Sequence, residues 1–346
     1  MQVYVLLAIL FVLYMLYMLY KFIFRGQVIN NNLSSAGIAK EYTNSMKLIA
    51  IIGIVLAHIG VQYHGTNYIG YLQMLIVSLG AFGVQIFFFL SGFGSYFSIS
   101  KQNKINGYLS WGGRHALRLI VSFVACYMVV CAIYMLFNQN VFSIKDFIML
   151  SMPYCTPWYL KVQILFYIFL VVAIIITKYI KQNDNMIVFY ASIFSVCLII
   201  IMQYYGFEDW WWKSNLCFAL GILVAINIEK IKSIINRSNR QVILLTILAM
   251  FVYILCFKFD KHYLFGPIVS TIRIFICFCW LYAMMFKIRL EYFSKYSLEL
   301  YLIHIGLIEL FIKEVDKNMP VVLFLFLTIM GTLLSNKVVT KVMKLF

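Results

Sequence analysis

The sequence predicts an all-α integral membrane protein with about eleven transmembrane helices, and three observations support this prediction. Of its 346 residues, 64% are hydrophobic and 12% are charged, whereas a soluble domain is about half apolar and about a quarter charged. The apolar residues form continuous runs of helical length, unlike the short alternating strands of a membrane β-barrel. Basic residues are concentrated between these runs, as the positive-inside rule requires.

The apolar runs follow one another along the chain and are joined by short polar connections. The first run lacks a basic start, and Lys21 and Arg25 follow it in place of a small-residue cleavage site. This pattern favours an uncleaved span over a signal peptide. The runs lie near 3–24, 47–63, 72–99, 119–137, 158–177, 186–203, 214–228, 242–258, 267–286, 297–312 and 321–336.

The positions of the basic residues predict the orientation of the chain. With the N-terminus outside and the C-terminus in the cytoplasm, the cytoplasmic segments hold most of the 28 Lys and Arg residues. The net charge of +16 thus reflects membrane topology, and nucleic-acid binding is not expected. The cytoplasmic segments are 25–46, 100–118, 178–185, 229–241, 287–296 and 337–346.

The run 72–99 is too long for one straight span of about 20 residues. It contains Gly80, Gly83, Gly92 and Gly94, so we expect a tilted, broken or re-entrant helix. Irregular backbone at that depth must be shielded by protein or line a cavity.

The eight cysteines predict neither a disulfide framework nor a metal site. Most fall in apolar segments, and none forms a CxxC or a Cys/His spacing. We therefore expect them to be small packing residues.

The segment KLIAIIGIVLAH has Lys47 and His58 at its two ends. Eleven steps of about 100° bring both residues onto one helix face, about 16 Å apart along the axis. With Lys47 at the water boundary, His58 lies near mid-membrane, where an ionisable residue indicates function. A neutral imidazole suits a general base, since burial disfavours the protonated form. The alternative is a structural histidine bonded to a neighbouring helix.

Two further ionisable side chains lie inside predicted spans. Arg273 lies about two turns from the outer surface and needs a partner. It either binds an anionic or carbonyl group of a substrate or pairs with Glu299 or Glu309. Ser297 and His304 are seven residues apart and share a helix face. His304 is therefore expected to line or orient a site rather than to act as a second base.

The predicted outer connections are short, and one of them contains the aromatic triplet Trp210, Trp211 and Trp212. Such a triplet is typical of the aromatic belt at a membrane interface. A stacking platform for a sugar ring is the alternative. Because no outer connection is long enough for a second catalytic domain, the chemistry must lie among the helices.

Four segments, in order, resemble the membrane-bound acyltransferase-3 family. The first matches the family's Arg, ten residues and His, with Lys47 at the Arg position and His58 at the His position. The second, QIFFFLSGFGSYFS, is similar to its Phe-rich stretch ending in Ser-Gly through Ser91. The family's basic cluster at the start of the next span is matched by Arg114 and Arg118.

The other two segments lie further along the chain. PWYLKVQILFY resembles the family's Trp, Glu and Tyr segment through Trp158 and Tyr167. YSLELYLIHIGL resembles its late helix through Ser297, Tyr301 and His304. Together the four segments cover roughly 40–310 of the chain.

The sequence departs from the family pattern at three positions. Lys47 keeps the positive charge but lacks the planar bidentate fork of Arg. Gln163 stands where a Glu is common, and His115 interrupts the usual basic pair. These departures affect the donor contacts more than the proposed base.

The resemblance implies a core of ten spans, so we expect an acyltransferase-3-like domain over 40–340 and an extra transmembrane helix within 1–30. It also implies a membrane-bound enzyme that transfers an acyl group from cytoplasmic acyl-CoA to a hydroxyl acceptor. The acceptor is often a cell-envelope polysaccharide. The expected location is the inner membrane, with acetyl-CoA as the first candidate donor and no metal.

The roles of individual residues follow from the chemistry of acyl transfer. His58 is expected to be the catalytic base. Lys47, Arg114 and Arg118 are expected to bind the phosphates of coenzyme A, since Arg suits bidentate phosphate recognition. The substrate-binding residues are expected to be Ser91, Trp158, Gln163, Arg273, Tyr301 and His304.

The expected function is O-acylation, with acetyl as the expected acyl group (O-acetylation), of a surface or secreted polysaccharide such as a capsule or exopolysaccharide, or of its lipid-linked precursor. Membrane lipids, a second copy of the chain and a glycan-synthesis complex are the other expected partners. A transporter or flippase is the alternative, because it also uses buried charges and broken helices. A polysaccharide polymerase is disfavoured because such proteins tend to need a large outer loop.

Overall fold

The computed structural model describes residues 35–62, 70–153, 155–235, 238–259, 265–283, 294–313 and 321–345. This part of the chain is α-helical, apart from an isolated bridge between Met152 and Cys155. The predicted first span, 3–24, and the extra helix within 1–30 lie outside the described residues. The helices are α1 (Ser35–Gln62), α2 (Gly70–Ile99), α3 (Ile105–Leu136), α4 (Ile144–Ile148), α5 (Trp158–Tyr179), α6 (Asn185–Tyr204), α7 (Asp209–Trp212), α8 (Leu216–Ile226), α9 (Ile228–Ile234), α10 (Asn239–Phe259), α11 (Phe265–Ala283), α12 (Ser297–Lys313) and α13 (Val321–Val342).

The lengths of these helices fit a membrane protein. Within the described ranges, six helices are long and apolar enough to cross a bilayer. Shorter apolar helical stretches run over Thr43–Ile59 and Arg240–Ala249. The prediction of an all-α, multi-pass membrane protein is confirmed. The total of about eleven spans stays a prediction.

The helices pack as a closed ring with further helices outside it. In the ring, α1 packs on α2, which continues through α8, α6, α5, α3 and α12 back to α1. Outside it, α11 packs on α2 and α8, α10 packs on α11, and α13 packs on α3 and α12. The ring encloses side chains from α1, α2, α3, α5 and α12, and these helices form the candidate site.

The connections between helices fall at two ends of the bundle. At the first, here called the basic end, the stretches 100–104, 180–184 and 227–235 carry Lys101, Lys104, Lys181, Lys230 and Lys232. At the second, here called the aromatic end, the stretches 137–157 and 205–215 include the tryptophans at 210–212. The charge asymmetry between the two ends agrees with the predicted positive-inside pattern.

A polar contact ties three elements together at the basic end. The hydroxyl of Tyr96 and the ammonium of Lys178 donate to the two carboxylate oxygens of Asp184, at 2.8 and 2.7 Å. Partial burial alone would raise the pKa of Asp184, but these hydrogen bonds outweigh burial and hold its pKa below the usual value. Asp184 thus joins the ends of α2 and α5 to the start of α6.

Helix α2 is continuous over 30 residues, about 45 Å, so the expected break or re-entrant turn in 72–99 is wrong. Its glycines instead permit close helix contacts. A Cβ at Gly92 would lie 2.1 Å from the carbonyl oxygen of Phe218, and one at Gly221 would lie 2.1 Å from that of Phe89. The absence of side chains at both glycines therefore allows the backbones of α2 and α8 to meet.

Helix α3 begins at Ile105, whereas the apolar run begins near 119. Arg114 and Arg118 therefore lie within a helix, and their predicted place in the connection 100–118 is wrong. The difference arises because hydropathy measures apolar content, and the first turns of α3 are polar. Tyr108 and Trp111 are buried there and secure these turns by packing.

Candidate functional site

Two histidines from distant parts of the chain meet inside the ring. The Nδ1 atom of His58, on α1, lies 2.9 Å from Nε2 of His304, on α12. Their rings stack with centroids 5.1 Å apart and an angle of 24° between planes. The Nδ1 atom of His304 lies 3.0 Å from the carbonyl oxygen of Leu300, one turn earlier. His304 is fully buried and His58 is half-buried.

Close packing of α1 on α2 holds His58 in place. A Cβ added at Gly80 would lie 2.7 Å from the Cβ of Ala57, the residue beside His58. A Cβ at Gly83 would lie 2.5 Å from the carbonyl oxygen of Ala50. Because the glycines bring α2 against this side of α1, the remaining face of α1 is free to present His58 to α12.

A row of polar side chains on α5 leads away from the histidine pair. Tyr159, Gln163 and Tyr167, here called the α5 row, recur every four residues and so share a helix face. The ring of Tyr159 lies edge to face with Tyr301, at a centroid distance of 5.8 Å. Tyr301 in turn lies 5.7 Å from the ring of His304. One end of the α5 row therefore reaches the pair through Tyr301.

The middle of the α5 row is a buried amide. Gln163 is 1% exposed, and its amide makes no hydrogen bond of normal geometry within the described part of the chain. It lies one turn from Tyr167 on the same helix. A buried amide of this kind retains donors and an acceptor for a bound molecule.

The other end of the α5 row meets α2 and α3. The hydroxyl of Ser91 donates to that of Tyr167 at 3.2 Å. The ring of Tyr167 lies edge to face with Trp111 and His115, at 5.6 and 5.5 Å. His115 stacks on Trp111 at 4.1 Å, and the indole nitrogen of Trp111 donates to Ser98 at 2.8 Å.

The predicted donor-binding cations lie on two helices. Arg114 and Arg118 are exposed on α3, on either side of His115, and the charge of Arg118 also acts on the Tyr167 hydroxyl. Lys47 is half-buried on α1, about 16 Å along the axis from His58. The basic pair therefore lies beside the α5 row, whereas Lys47 shares its helix with His58.

Aromatic side chains lie between the α5 row and the aromatic end, which is opposite the basic end. Trp158 begins α5 and stacks on Trp211 at a centroid distance of 5.6 Å. The ring of Phe88 contacts both Trp158 and Tyr159, at 5.9 and 4.9 Å. Phe207 packs on the outer side of Trp211 at 5.0 Å. These rings run continuously from the 205–215 connection to the α5 row.

The sequence profile of an acyltransferase domain matches residues 40–335, which is most of the chain. The chain belongs to the acyltransferase-3 family. No curated protein and no solved structure matches it. Membership confirms the resemblance drawn from the four segments and makes the protein an acyltransferase that transfers an acyl group to an acceptor.

One predicted site residue of this acyltransferase lies apart from the histidine pair. Arg273 is 7% exposed on α11, outside the ring, and its guanidinium donates through two nitrogens to the amide oxygen of Gln85. The amide nitrogen of Gln85 donates to Ser270 at 2.9 Å. The guanidinium also lies 5.4 Å from the centre of the Phe82 ring. We call Gln85, Ser270 and Arg273 the arginine cluster.

The suggested pairing of Arg273 with Glu299 is wrong. Glu299 is fully buried on α12, and one of its carboxylate oxygens accepts from the hydroxyl of Ser122 at 3.0 Å. Its other oxygen has no hydrogen-bond partner in the described part of the acyltransferase. Glu299 therefore belongs to the contact of α12 with α3.

The tryptophan triplet of the acyltransferase is not a uniform belt. Trp210 is 52% exposed, Trp212 is 2% exposed, and Trp211 stacks on Trp158. Adjacent positions on one helical turn point in different directions, so only part of the triplet faces outward. Of the three, Trp211 is the one that continues toward the site.

Sequence reasoning missed several residues around the acyltransferase site. Tyr159 had a usable signal, since it precedes Gln163 and Tyr167 at regular four-residue spacing. The sequence contains no such signal for Trp111 and Gln85, because the side chains to which they hydrogen-bond come from other helices. Among the predicted residues, Trp158, Tyr301 and His304 lie along one path of ring contacts through Phe88 and Tyr159. Ser91 contacts Tyr167, and Gln163 lies between Tyr159 and Tyr167 on the same helix face.

Proposed function

We propose that this acyltransferase moves an acyl group, acetyl in the first instance, from acyl-CoA to a hydroxyl of a cell-envelope polysaccharide or its lipid-linked precursor. The observation that carries the proposal is the histidine pair inside the ring, with the α5 row on one side and the aromatic rings on the other. A donor and an acceptor that approach from opposite ends meet at His58.

The proposed reaction is a direct transfer with His58 as general base. Its imidazole takes the proton of the acceptor hydroxyl while the hydroxyl oxygen attacks the thioester carbonyl carbon. The carbon–sulfur bond then breaks, and the leaving thiolate receives the proton that His58 holds. The products are an ester and free coenzyme A, so atoms and charges balance without a metal or a redox partner.

The donor is proposed to bind at the basic end. Coenzyme A carries several phosphate charges, and Arg114 and Arg118 offer forked donors suited to phosphate oxygens. Lys47 adds a charge on the helix that carries His58, but it can contact phosphate only as a point charge. We propose that the basic end faces the cytoplasm, where acyl-CoA is made, in an inner membrane. The N-terminus is then outside and the C-terminus inside.

The acyl group itself is proposed to lie against the middle of the α5 row. The buried amide of Gln163 has N–H groups that can donate to the thioester carbonyl, and Ser91 lies one turn further toward the basic end beside Tyr167. A donor fixed before the reaction favours the oxyanion that forms as the hydroxyl attacks. The neutral Gln leaves this oxyanion without the repulsion that a carboxylate would add.

The acceptor is proposed to enter from the aromatic end. Trp211, Trp158 and Tyr301 supply faces and edges that sugar rings commonly contact, while the hydroxyl of Tyr301 can orient a sugar hydroxyl. Arg273 is proposed to contribute only indirectly, by holding α2 and α11 together. A soluble outer polymer or a lipid-linked precursor both present hydroxyl groups, and the experiment must include each.

The test uses purified full-length protein in lipid nanodiscs with acetyl-labelled acetyl-CoA and two acceptors, a deacetylated envelope polysaccharide and a lipid-linked oligosaccharide. We expect label on an acceptor as a base-labile ester, with equimolar free coenzyme A. His58→Ala should lower the rate by about 10²–10⁴-fold.

Three outcomes separate the possibilities. Label transfer that survives His58→Ala would overturn the proposed base. Hydrolysis of acetyl-CoA without transfer to either acceptor would overturn the proposed acceptor class. Movement of glycan across a vesicle membrane without ester formation would favour the transporter alternative.

A further inference from the structure

We propose that His304 is a positioning residue that keeps the proton of His58 on Nδ1, so that Nε2 of His58 is the atom that accepts the hydroxyl proton. The inference deepens the proposed function and rests on it for the identity of the reaction. A chain of two hydrogen bonds, from a backbone carbonyl through His304 to His58, determines this arrangement.

The first step is the contact of His304 with its own helix. The Nδ1 atom of His304 lies 3.0 Å from the carbonyl oxygen of Leu300. A carbonyl oxygen can only accept a hydrogen bond, so Nδ1 of His304 must carry a proton. The opposite arrangement would place two lone pairs against each other in a fully buried position.

The second step is the contact between the two rings. A neutral imidazole has one donor and one acceptor, so Nε2 of His304 is left as the acceptor. The Nδ1 atom of His58 lies 2.9 Å from it and must therefore donate. A doubly protonated His304 would reverse this contact, but it would place a charge at 0% exposure. No carboxylate is hydrogen-bonded to either ring in the described part of the chain.

The third step concerns the remaining nitrogen of His58. With Nδ1 protonated, Nε2 has a lone pair and no hydrogen-bond partner in the described ranges. The hydrogen bond made by one ring nitrogen of a histidine determines which nitrogen carries the proton. His304 thus acts on the reaction through His58, without contact with the reacting atoms.

The arrangement also remains intact through the proposed reaction. When Nε2 of His58 takes the hydroxyl proton, Nδ1 continues to donate to His304, which shares the new positive charge. When Nε2 gives its proton to the thiolate, the starting arrangement returns. In serine hydrolases, an Asp or Glu side chain accepts the hydrogen bond from Nδ1 of the catalytic histidine. Here the acceptor is the neutral imidazole of His304.

A spectroscopic measurement tests the tautomer directly. The chain has five histidines, so 15N-histidine labelling of the full-length protein gives a simple spectrum. His58→Gln identifies the His58 signals by their loss. We expect a protonated Nδ1 and an unprotonated Nε2 for His58 above neutral pH. The reverse pattern in the wild-type protein would overturn the inference.

Two matched variants test the effect on rate. His304→Leu removes the acceptor, and we expect kcat to fall by about 10²–10⁴-fold, as when a catalytic histidine loses its orienting partner. His304→Gln keeps a side-chain oxygen near the position of Nε2 and should recover at least tenfold of that loss. The KM for acetyl-CoA should change by no more than about threefold in either variant, because His304 does not contact the donor.

The outcomes distinguish this inference from the proposed function. Equal losses in the Leu and Gln variants, both with folded protein, would overturn the positioning role. If His304→Leu does not fold, the wild-type tautomer and His304→Gln still decide the matter. Absence of acyl transfer in the wild-type protein would overturn the proposed function, whatever tautomer the spectrum reports.

Discussion

The histidine pair and the arginine cluster are both buried polar groups inside a membrane bundle, but they differ in the freedom of their protons. In the pair, His58 retains a nitrogen that can gain and lose a proton. In the arginine cluster, the guanidinium is permanently charged and donates through two nitrogens to Gln85. Both sites are therefore buried inside the bundle, but only the histidine pair offers a nitrogen that can accept a proton, whereas the arginine cluster is suited to holding helices together.

Their positions in the bundle agree with this division. His58 and His304 join α1 to α12 within the ring, next to the α5 row. The arginine cluster joins α2 to α11, which packs outside the ring. We therefore expect changes in the pair to affect catalysis and changes in the arginine cluster to affect stability.

The largest expected effect is a loss of catalysis at the histidine pair. His58→Gln keeps a polar side chain of similar size but cannot act as a base near neutral pH. We expect kcat to fall by about 10²–10⁴-fold. The thermal midpoint in detergent should stay within a few degrees of the wild-type value. A similar fall in kcat for Gln85→Leu would remove the distinction between the two sites.

The next prediction concerns stability. Gln85→Leu removes the oxygen that accepts from two nitrogens of Arg273, and disrupting a buried charged contact costs about 3–5 kcal/mol. We expect a clearly lower unfolding midpoint but a specific activity, per folded molecule, within about threefold of wild type. Gln85→Glu retains an acceptor oxygen and is the matched control. It should lose less stability than Gln85→Leu.

A smaller effect is expected for the donor site at the basic end. Arg118→Ala should raise the KM for acetyl-CoA by about tenfold with little change in kcat, since one charged hydrogen bond contributes about 1.5–3 kcal/mol before solvent screening. Lys101→Ala removes a cation from the 100–104 connection and serves as the control. Equal effects of both substitutions would mean that general positive charge, and not a specific contact, attracts the donor.

The smallest expected effect lies outside both sites, at Asp184. Asp184→Asn should lower stability by less than about 1 kcal/mol near neutral pH, because the contact is partly exposed, and should leave kcat unchanged. The pKa of Asp184 is lowered in the folded protein. Its stabilisation is therefore present above the unfolded-state pKa and is lost as pH falls through the lower folded-state pKa. Unfolding midpoints of both proteins should converge in acid.

The sequence was sufficient to predict the class of fold and to place Lys47 and His58 on one helix. Apolar runs of about 20 residues predict membrane-spanning helices. Regular helix geometry then places Lys47 and His58 on one face of such a helix. The pairing of His58 with His304 was not predictable, since 246 residues separate them. Helical periodicity identifies the face on which each histidine lies but not the helix that this face contacts.

The errors at the helix boundaries have a related cause. Hydropathy falls before residue 119 and so predicts Arg114 and Arg118 in a connection, yet α3 begins earlier, at Ile105, where buried Trp111 anchors its first turns. The glycines of 72–99 suggested a break, but their role depends on α8, which supplies the facing backbone. In both cases contacts between helices, which hydropathy does not report, decide the local structure.

The close approach of α2 to α8 has a consequence for how this protein tolerates mutation. Gly92 follows Ser91 on α2. Gly221, on α8, contacts the backbone of Phe89 and Phe93, which also lie on α2. Even one extra methyl group at either glycine would force α2 and α8 apart and so disturb the contact of Ser91 with Tyr167. A screen of random variants for activity should therefore identify both glycines as essential, although neither carries a side chain that could contact a substrate.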